Sequence, residues 1–66
     1  MGASNWIHLD VEEIKAETDA AFLIVLDDGE YWIPKSQISD PEDYEKGDTD
    51  VSMSITEWIA EQKGIA

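Results

Sequence analysis

Cysteine and arginine are both absent from this chain, which contains only four lysines and one histidine. Without cysteine, neither a disulfide nor a thiolate zinc site can stabilise the fold. The longest uninterrupted apolar segment, Ala20–Leu26, is far shorter than the roughly 20 residues needed to cross a bilayer. We therefore expect a protein of the cytoplasm, with no disulfide, no structural zinc and no membrane span.

Positive charge is scarce, whereas Asp and Glu together number 16, so the formal net charge is −12 at pH 7. Nucleic-acid-binding proteins derive much of their affinity from Lys and Arg that neutralise phosphates, and arginine is the commonest reader of guanine. Direct binding of nucleic acid is therefore disfavoured. An acidic surface instead favours solubility, a basic protein partner or cations.

The chain is short, yet its apolar content argues against disorder. A domain of 66 residues buries only about 60% of its unfolded surface and often needs dense packing or a partner chain. The apolar fraction of 42%, with three Trp, two Tyr and one Phe, is sufficient for a core. We predict a single domain over residues 1–66.

Alternation of apolar and polar residues predicts the first and last strands. Every second residue is apolar in Asn5–Val11 and again in Val51–Ile55, as in half-buried strands. The next apolar residue after the first segment, Ile14, has the opposite parity. This change predicts a β-bulge near Glu12–Glu13.

A hairpin is predicted between these strands. Asp28–Gly29 is a favoured pair for a two-residue turn, so Ala21–Asp27 should pair antiparallel with Glu30–Ile33. Ala21–Asp27 is apolar on both faces, which is typical of a strand at the centre of a strongly curved sheet or against a second layer. Pro34 cannot donate a ladder hydrogen bond and therefore lies at an edge or where the strand leaves the sheet.

The remaining segments predict a loop and a helix. Residues 40–50 are acidic, contain Pro and Gly and lack periodicity, as expected of a loop. Residues 56–63 read as a short helix with Thr56 as its N-cap and Gly64 as its C-terminal cap, so that Ile65 folds back on the helix.

Together these elements predict a mainly β fold with a short C-terminal helix. A small antiparallel SH3-like or OB-like barrel fits them best. The alternative is an α+β arrangement in which one helix covers a sheet of three or four strands.

Catalytic and metal-binding motifs are not evident. His8 lies on the polar face of its strand with no motif around it, and paired catalytic carboxylates need a cleft that holds them in different environments. The carboxylates of residues 40–50 do not have the spacing of a calcium loop. We expect no enzyme, no metal site and no cofactor.

The carboxylates suggest an acidic surface with two interpretations. In the first, they substitute for nucleic-acid phosphates and attract the basic groove of a nucleic-acid enzyme. In the second, they only keep the protein soluble. The surface would comprise Asp27, Asp28, Glu30, Asp40, Glu42, Asp43, Glu45, Asp48 and Asp50.

The segment Tyr31–Ile38, YWIPKSQI, combines aromatic residues with a lysine, as recognition surfaces do. The candidate contacts with a partner are Trp32, Lys35, Ser36 and Gln37. In the alternative interpretation, Trp32 and Trp58 are the large anchors of a minimal core, and Ser36 or Gln37 bonds the local backbone.

The segments WIPKSQI, which ends a longer frame from Glu17 to Ile38, and ITEWIAEQKGI, Ile55–Ile65, carry a resemblance. Together these stretches, about half of the chain, resemble small phage and bacterial proteins of uncharacterised function. The resemblance implies a compact, largely β domain that is often phage-borne and is in some cases assigned a place near replication or DNA metabolism. It assigns no activity and no role to any residue.

These observations favour a non-enzymatic protein-interaction module, encoded by a phage or mobile element, that binds a host or replication-associated protein. Two alternatives stay open: an acidic nucleic-acid mimic that inhibits a DNA- or RNA-processing enzyme, and a single-stranded nucleic-acid binder that uses stacked tryptophans. Homodimerisation also stays open, because an exposed edge strand invites a second copy.

Overall fold

The computed structural model describes residues 5–65, which form one antiparallel sheet and a short helix. The elements in chain order are β1 (Trp6–Glu17), β2 (Ala21–Leu26), β3 (Gly29–Pro34), 3-10 turns at Lys35–Gln37 and Pro41–Asp43, β4 (Thr49–Thr56) and α1 (Glu57–Gln62). The strand order is β3-β2-β1-β4. The predicted class, mainly β with a short C-terminal helix, is confirmed.

The core lies on one face of this sheet. Alternate residues of β1 and β4 are directed into it, as the alternation predicts, and α1 contributes Ile59 and Ala60. Among the described residues, the buried apolar side chains are Val11, Ile14, Phe22, Ile24, Ile33, Ile38, Met53, Ile55, Ile59 and Ala60. No polar or charged side chain within residues 5–65 is buried with them.

The predicted change of parity in β1 is present, but the bulge lies further along the strand. Val11 and Ile14 are both buried although they are three residues apart. The pairing with β2 shifts between Ile14 and Ala16, so the irregularity is at Lys15 and not at Glu12–Glu13. Up to Glu13 the strand is also paired with β4, and a residue leaves the ladder more easily where only one neighbouring strand constrains it.

The hairpin between β2 and β3 also differs by one residue from the prediction. Leu26 pairs with Gly29, so the loop consists of Asp27 and Asp28 and not of Asp28–Gly29. Neither aspartate has a positive φ, whereas Gly29 has φ 152°. The aspartates thus keep ordinary backbone angles, and the conformation that favours glycine falls on the first residue of β3.

The sheet is strongly curled. Ile38 pairs with Ile55 on the side of β4 away from β1. In a flat sheet, Ile38 would therefore lie four strand spacings from β3, a distance of roughly 19 Å. Ile38 is only four positions after Pro34, the end of β3, and four positions of extended chain reach at most about 14 Å. The two edges of the sheet therefore approach each other around the core.

The helix caps are those that the sequence predicts. The backbone N–H of Ile59 donates to the side-chain oxygen of Thr56. At the other end Gly64 has φ 73°, its N–H donates to the Glu61 carbonyl, and the Ile65 N–H donates to the Ala60 carbonyl. These two bonds form a Schellman motif. No helix within residues 5–65 is both long enough and apolar enough to span a bilayer.

Hydrogen bonds attach the acidic loop, residues 40–50, to two neighbouring strands, β1 and β4. The Ile14 N–H donates to the Asp48 carbonyl and the Gly47 N–H donates to the Ile14 carbonyl, both at 2.8 Å. The hydroxyl of Tyr44 donates to the Ser52 carbonyl at 2.9 Å. The loop therefore has a defined position beside β1 and β4.

Candidate interaction surface

An apolar patch lies on the sheet face opposite the core. Trp32 is 43% exposed there, while its neighbours Tyr31 and Ile33 are directed toward the core. Its cross-strand partner in β2 is Leu23, and Val25 follows on the same face. Leu23 and Val25 are half-buried but do not pack against the core. We call Trp32, Leu23 and Val25 the outer patch.

The tryptophans are not core anchors. Trp58 is 58% exposed and Trp6 is 43% exposed, so the interpretation of Trp32 and Trp58 as core residues is wrong. Ile33 and Ile59, which follow Trp32 and Trp58 directly, fill the core positions instead. Trp6 pairs with Thr56 at the start of β1. The row of paired residues that contains Trp32 runs through Leu23 and meets β1 at Ala16, near its far end. Trp6 and Trp32 therefore do not form one continuous surface along the sheet.

Lys35, a predicted partner contact, is engaged within the molecule. Its side-chain nitrogen lies 2.7 Å from Oε2 of Glu17 and 4.8 Å from the centre of the Phe22 ring. The Lys35 ammonium, followed by a hydrogen bond from the Lys46 backbone N–H, lowers the pKa of Glu17 below its usual value. The Glu17 carboxylate therefore joins β1 to the end of β3 and to the acidic loop.

Gln37 has an internal role as well, while Ser36 is exposed. The Thr56 hydroxyl donates to the Gln37 side-chain oxygen at 2.8 Å, which fixes the 3-10 turn against the start of α1. Ser36 lies at the outer side of the same turn and is exposed to solvent. Of the four predicted contacts, Trp32 and Ser36 are thus the ones most open to a partner.

The predicted acidic residues fall into separate groups. Asp28 accepts a hydrogen bond from the Tyr31 hydroxyl at 3.1 Å, and Glu30 forms an exposed ion pair with Lys15 at 2.7 Å. Asp48 is half-buried, and its side chain accepts a hydrogen bond from the Glu45 backbone N–H. The remaining predicted members, Asp27, Asp40, Glu42, Asp43, Glu45 and Asp50, are exposed.

Four carboxylates from two strands and the hairpin turn line a cleft of about 410 Å³. They belong to Asp10, Glu12, Asp27 and Asp50. A hydrogen bond with Asp27, partial burial, and the charges of Asp27 and Asp50 raise the pKa of Glu12. The cleft therefore concentrates negative charge. Even so, no three His, Asp or Glu side chains among residues 5–65 are arranged to hold a metal ion.

His8 is paired with a serine across the sheet. Its Nδ1 lies 2.8 Å from Oγ of Ser54, its partner in β4, and both lie on the polar face. A nucleophile–base pair needs a third group that orients the base. No side chain of residues 5–65 forms a hydrogen bond with the other ring nitrogen of His8.

Sequence reasoning missed Leu23, Val25, Asp10 and Glu12 as surface residues of interest. The signal for the first two was present, because a strand apolar on both faces must expose one face when only a single layer covers the sheet. No signal marked the cleft, since its carboxylates meet only through the pairing of β1 with β4 and the approach of the hairpin turn.

Comparison of the chain with protein-family models, with curated proteins and with solved structures gives no match.

Proposed function

We propose that this protein is a non-enzymatic protein-interaction module whose contact surface is the outer patch. The observation that supports the proposal is the exposure of Trp32 beside Leu23 and Val25, while the core on the other face is filled without them. Tryptophan is enriched among residues that dominate binding energy in protein interfaces. Ser36 extends the surface beyond the end of β3.

The biological setting in the proposal follows from the resemblance of WIPKSQI and ITEWIAEQKGI to phage and bacterial proteins. We place the protein in the cytoplasm of the host cell and its partner among host or replication-associated proteins. The finer description of the fold as an SH3-like or OB-like barrel belongs to the same proposal. It is supported by the return of the chain from β3 to the opposite edge of the sheet at Ile38.

The test is capture of a partner from a bacterial lysate at low and high salt, with variants that separate the surfaces. Trp32→Ala should abolish capture because it removes the centre of the patch. Trp6→Ala removes an exposed tryptophan at the opposite end of β1 from the row of Trp32 and should not affect capture. Lys35→Ala is unsuitable as a contact variant, since it also removes the ion pair with Glu17. Equal capture by wild type and Trp32→Ala would contradict the proposal.

A second candidate function is inhibition of a nucleic-acid enzyme by charge mimicry. The observation in its favour is the cleft, where Asp10, Glu12, Asp27 and Asp50 meet. Strongly salt-dependent association would distinguish this function, because ions screen the long-range attraction to a basic groove. A partner that is released by salt, lost in Asp27→Asn/Asp50→Asn and retained by Trp32→Ala would favour the mimic.

The third reading, a single-stranded nucleic-acid binder, finds less support. Stacking platforms combine neighbouring aromatic side chains with a basic groove. Here Trp6 lies ten positions from the row of Trp32 along β1, and the chain has 16 Asp and Glu against four Lys. Quenching of tryptophan fluorescence by an oligonucleotide tests this reading directly, and we expect none.

A further inference from the structure

The outer edge of β3 is the next feature of the proposed surface. The Lys35 N–H donates to the Ala20 carbonyl at 2.7 Å, which continues the β2–β3 ladder by one pair. In an antiparallel ladder, hydrogen-bonded and non-hydrogen-bonded pairs alternate. Counting back from Lys35, Ile33 and Tyr31 are in hydrogen-bonded pairs. The N–H and C=O groups of Trp32 and Glu30 therefore point away from β2.

Nothing in the described part of the chain pairs with these groups. β3 is the first strand in the order β3-β2-β1-β4. Within residues 5–65, no backbone hydrogen bond joins Gly29–Pro34 to any segment other than β2. An open strand edge with unpaired backbone groups is a template for another extended chain.

The surroundings of the edge determine what kind of chain fits. Asp27 and Asp28 form the turn at one end, and Glu30 lies on the edge strand itself. Lys15 is ion-paired with Glu30 at 2.7 Å and offsets part of its charge, so the turn aspartates supply most of the negative charge. Pro34 lacks an N–H and ends the usable edge at the other side. The available length is thus about four to five residues, with negative charge toward the turn and Trp32 near the middle.

Resting on the proposed function, we propose that β3 binds a short, extended, basic segment of a partner protein by strand addition. Backbone bonds form with Glu30 and Trp32, an apolar side chain of the partner contacts Trp32, and a Lys or Arg faces Glu30 and the turn aspartates. Such binding draws affinity from main-chain hydrogen bonds and specificity from alternate side chains. A second copy fits poorly, because it would bring the same carboxylates together in a chain of net charge −12.

The experiment measures amide hydrogen exchange of the full chain by NMR. In the free protein, the amides of Glu30 and Trp32 should exchange about tenfold or more faster than those of Tyr31 and Ile33. The probe is a blocked six-residue peptide, Thr-Lys-Thr-Val-Thr-Lys, called the Lys–Val peptide, in which Val and Lys lie two residues apart and so face Trp32 and Glu30 on the same side of the sheet. Its addition should slow exchange at Glu30 and Trp32 by about tenfold or more. The same peptide with alternate amides N-methylated, and the same peptide with both Lys replaced by Glu, should have no such effect.

Matched variants test the edge from the side of the protein. Glu30→Pro removes an outward N–H without removing a bond to β2, so it should preserve the fold and abolish binding of the Lys–Val peptide. Glu30→Gln keeps the N–H and should only weaken binding and reduce its salt dependence. If Glu30→Pro fails to fold, the N-methylated peptide still tests whether binding depends on backbone hydrogen bonds.

Three results would overturn the inference. In the first, the Glu30 and Trp32 amides exchange slowly in the free protein, and their protection increases with protein concentration. This would identify a second copy as the occupant of the edge. The second is equal binding of the N-methylated peptide. The third is a Trp32-dependent partner in the lysate without any peptide protection at β3, in which case the interaction module stands and strand addition fails.

Discussion

The side-chain nitrogen of Lys35 lies 2.7 Å from Oε2 of Glu17 and joins the end of β3 to the end of β1 across β2. The two side chains are only 24% and 32% exposed, so water screens this pair less than a fully exposed one. The Phe22 ring beneath the ammonium adds a cation–π contact. The pair therefore restrains the 3-10 turn that leads from β3 to the opposite edge of the sheet.

The first prediction concerns the pH dependence of this pair. The pKa of Glu17 is lowered in the folded protein by the Lys35 ammonium and then by the Lys46 backbone N–H. A lowered pKa contributes stability that is present above the unfolded value of 4.5 and is lost as pH falls through the folded value. Lys35→Met should lower Tm at about pH 7, and the difference from wild type should shrink toward about pH 3. Thermal unfolding followed by circular dichroism measures it.

The matched control is Lys63→Met, which removes the same charge from the C-terminal end of α1. It should not reproduce the narrowing of the Tm difference below pH 4.5, since the pKa of Glu17 is not set by Lys63. A Lys35→Met curve that stays parallel to wild type through this pH range would contradict the prediction.

The second prediction concerns Glu12, whose pKa is raised in the folded protein, whereas that of Glu17 is lowered. A hydrogen bond with Asp27, then burial, then the charges of Asp27 and Asp50 raise its pKa. The folded state therefore binds the proton more tightly than the unfolded state, and Glu12 favours folding more as pH falls. Glu12→Gln should raise Tm at neutral pH, and the gain should disappear below the unfolded pKa of about 4.5. Glu45→Gln, which removes an exposed carboxylate from the acidic loop, should give a smaller change with a weaker dependence on pH.

Local patterns predicted those parts of the fold that local physics determines. The alternation in β1 and β4 identified the core-facing residues because side chains on a strand have a period of two. The caps of α1 were also predictable, since Thr56 and Gly64 act on backbone groups within a few residues of themselves.

The candidate surface depended on contacts between distant residues and was predictable only in part. Alternation predicted that Trp32 lies on the face opposite Tyr31 and Ile33. It could not predict that this face is uncovered, because the number of layers packed on the sheet depends on the whole fold. The ion pair of Lys35 with Glu17 spans 18 residues and left no local signal. The hairpin turn moved by one residue because the pairing of Leu26 with Gly29, and not the preference of an Asp–Gly pair, decided the register.

The third prediction concerns the attachment of the acidic loop. The Tyr44 hydroxyl donates to the Ser52 carbonyl at 2.9 Å, and partial burial is the main cause of the raised pKa of Tyr44. Tyr44→Phe should cost about 0.5–1.5 kcal/mol of the free energy of unfolding and should speed proteolysis within residues 40–50. Tyr31→Phe is the control, because its hydroxyl bonds the exposed Asp28 at 3.1 Å and its loss should have little effect. Urea denaturation gives the free energies, and equal losses in the two variants would argue against this account of the loop.

The fourth prediction concerns Thr56, whose hydroxyl has two roles. It accepts the Ile59 N–H at the start of α1 and donates to the Gln37 side-chain oxygen at 2.8 Å. Thr56→Ala loses both bonds and should cost about 1–2 kcal/mol of the free energy of unfolding. Thr56→Ser keeps the hydroxyl and should cost much less.

A double-mutant cycle separates these two roles. Gln37→Ala alone removes only the bond to the 3-10 turn, so its cost should be the smaller of the two. In the double variant the effects should fall short of additivity by about 0.5–1 kcal/mol, because the Thr56–Gln37 bond can be lost only once. Full additivity in urea denaturation would mean that this bond does not stabilise the fold and that Thr56 acts as a helix cap alone. Gln37 would then be available to a partner, beside Ser36 on the outer side of the turn.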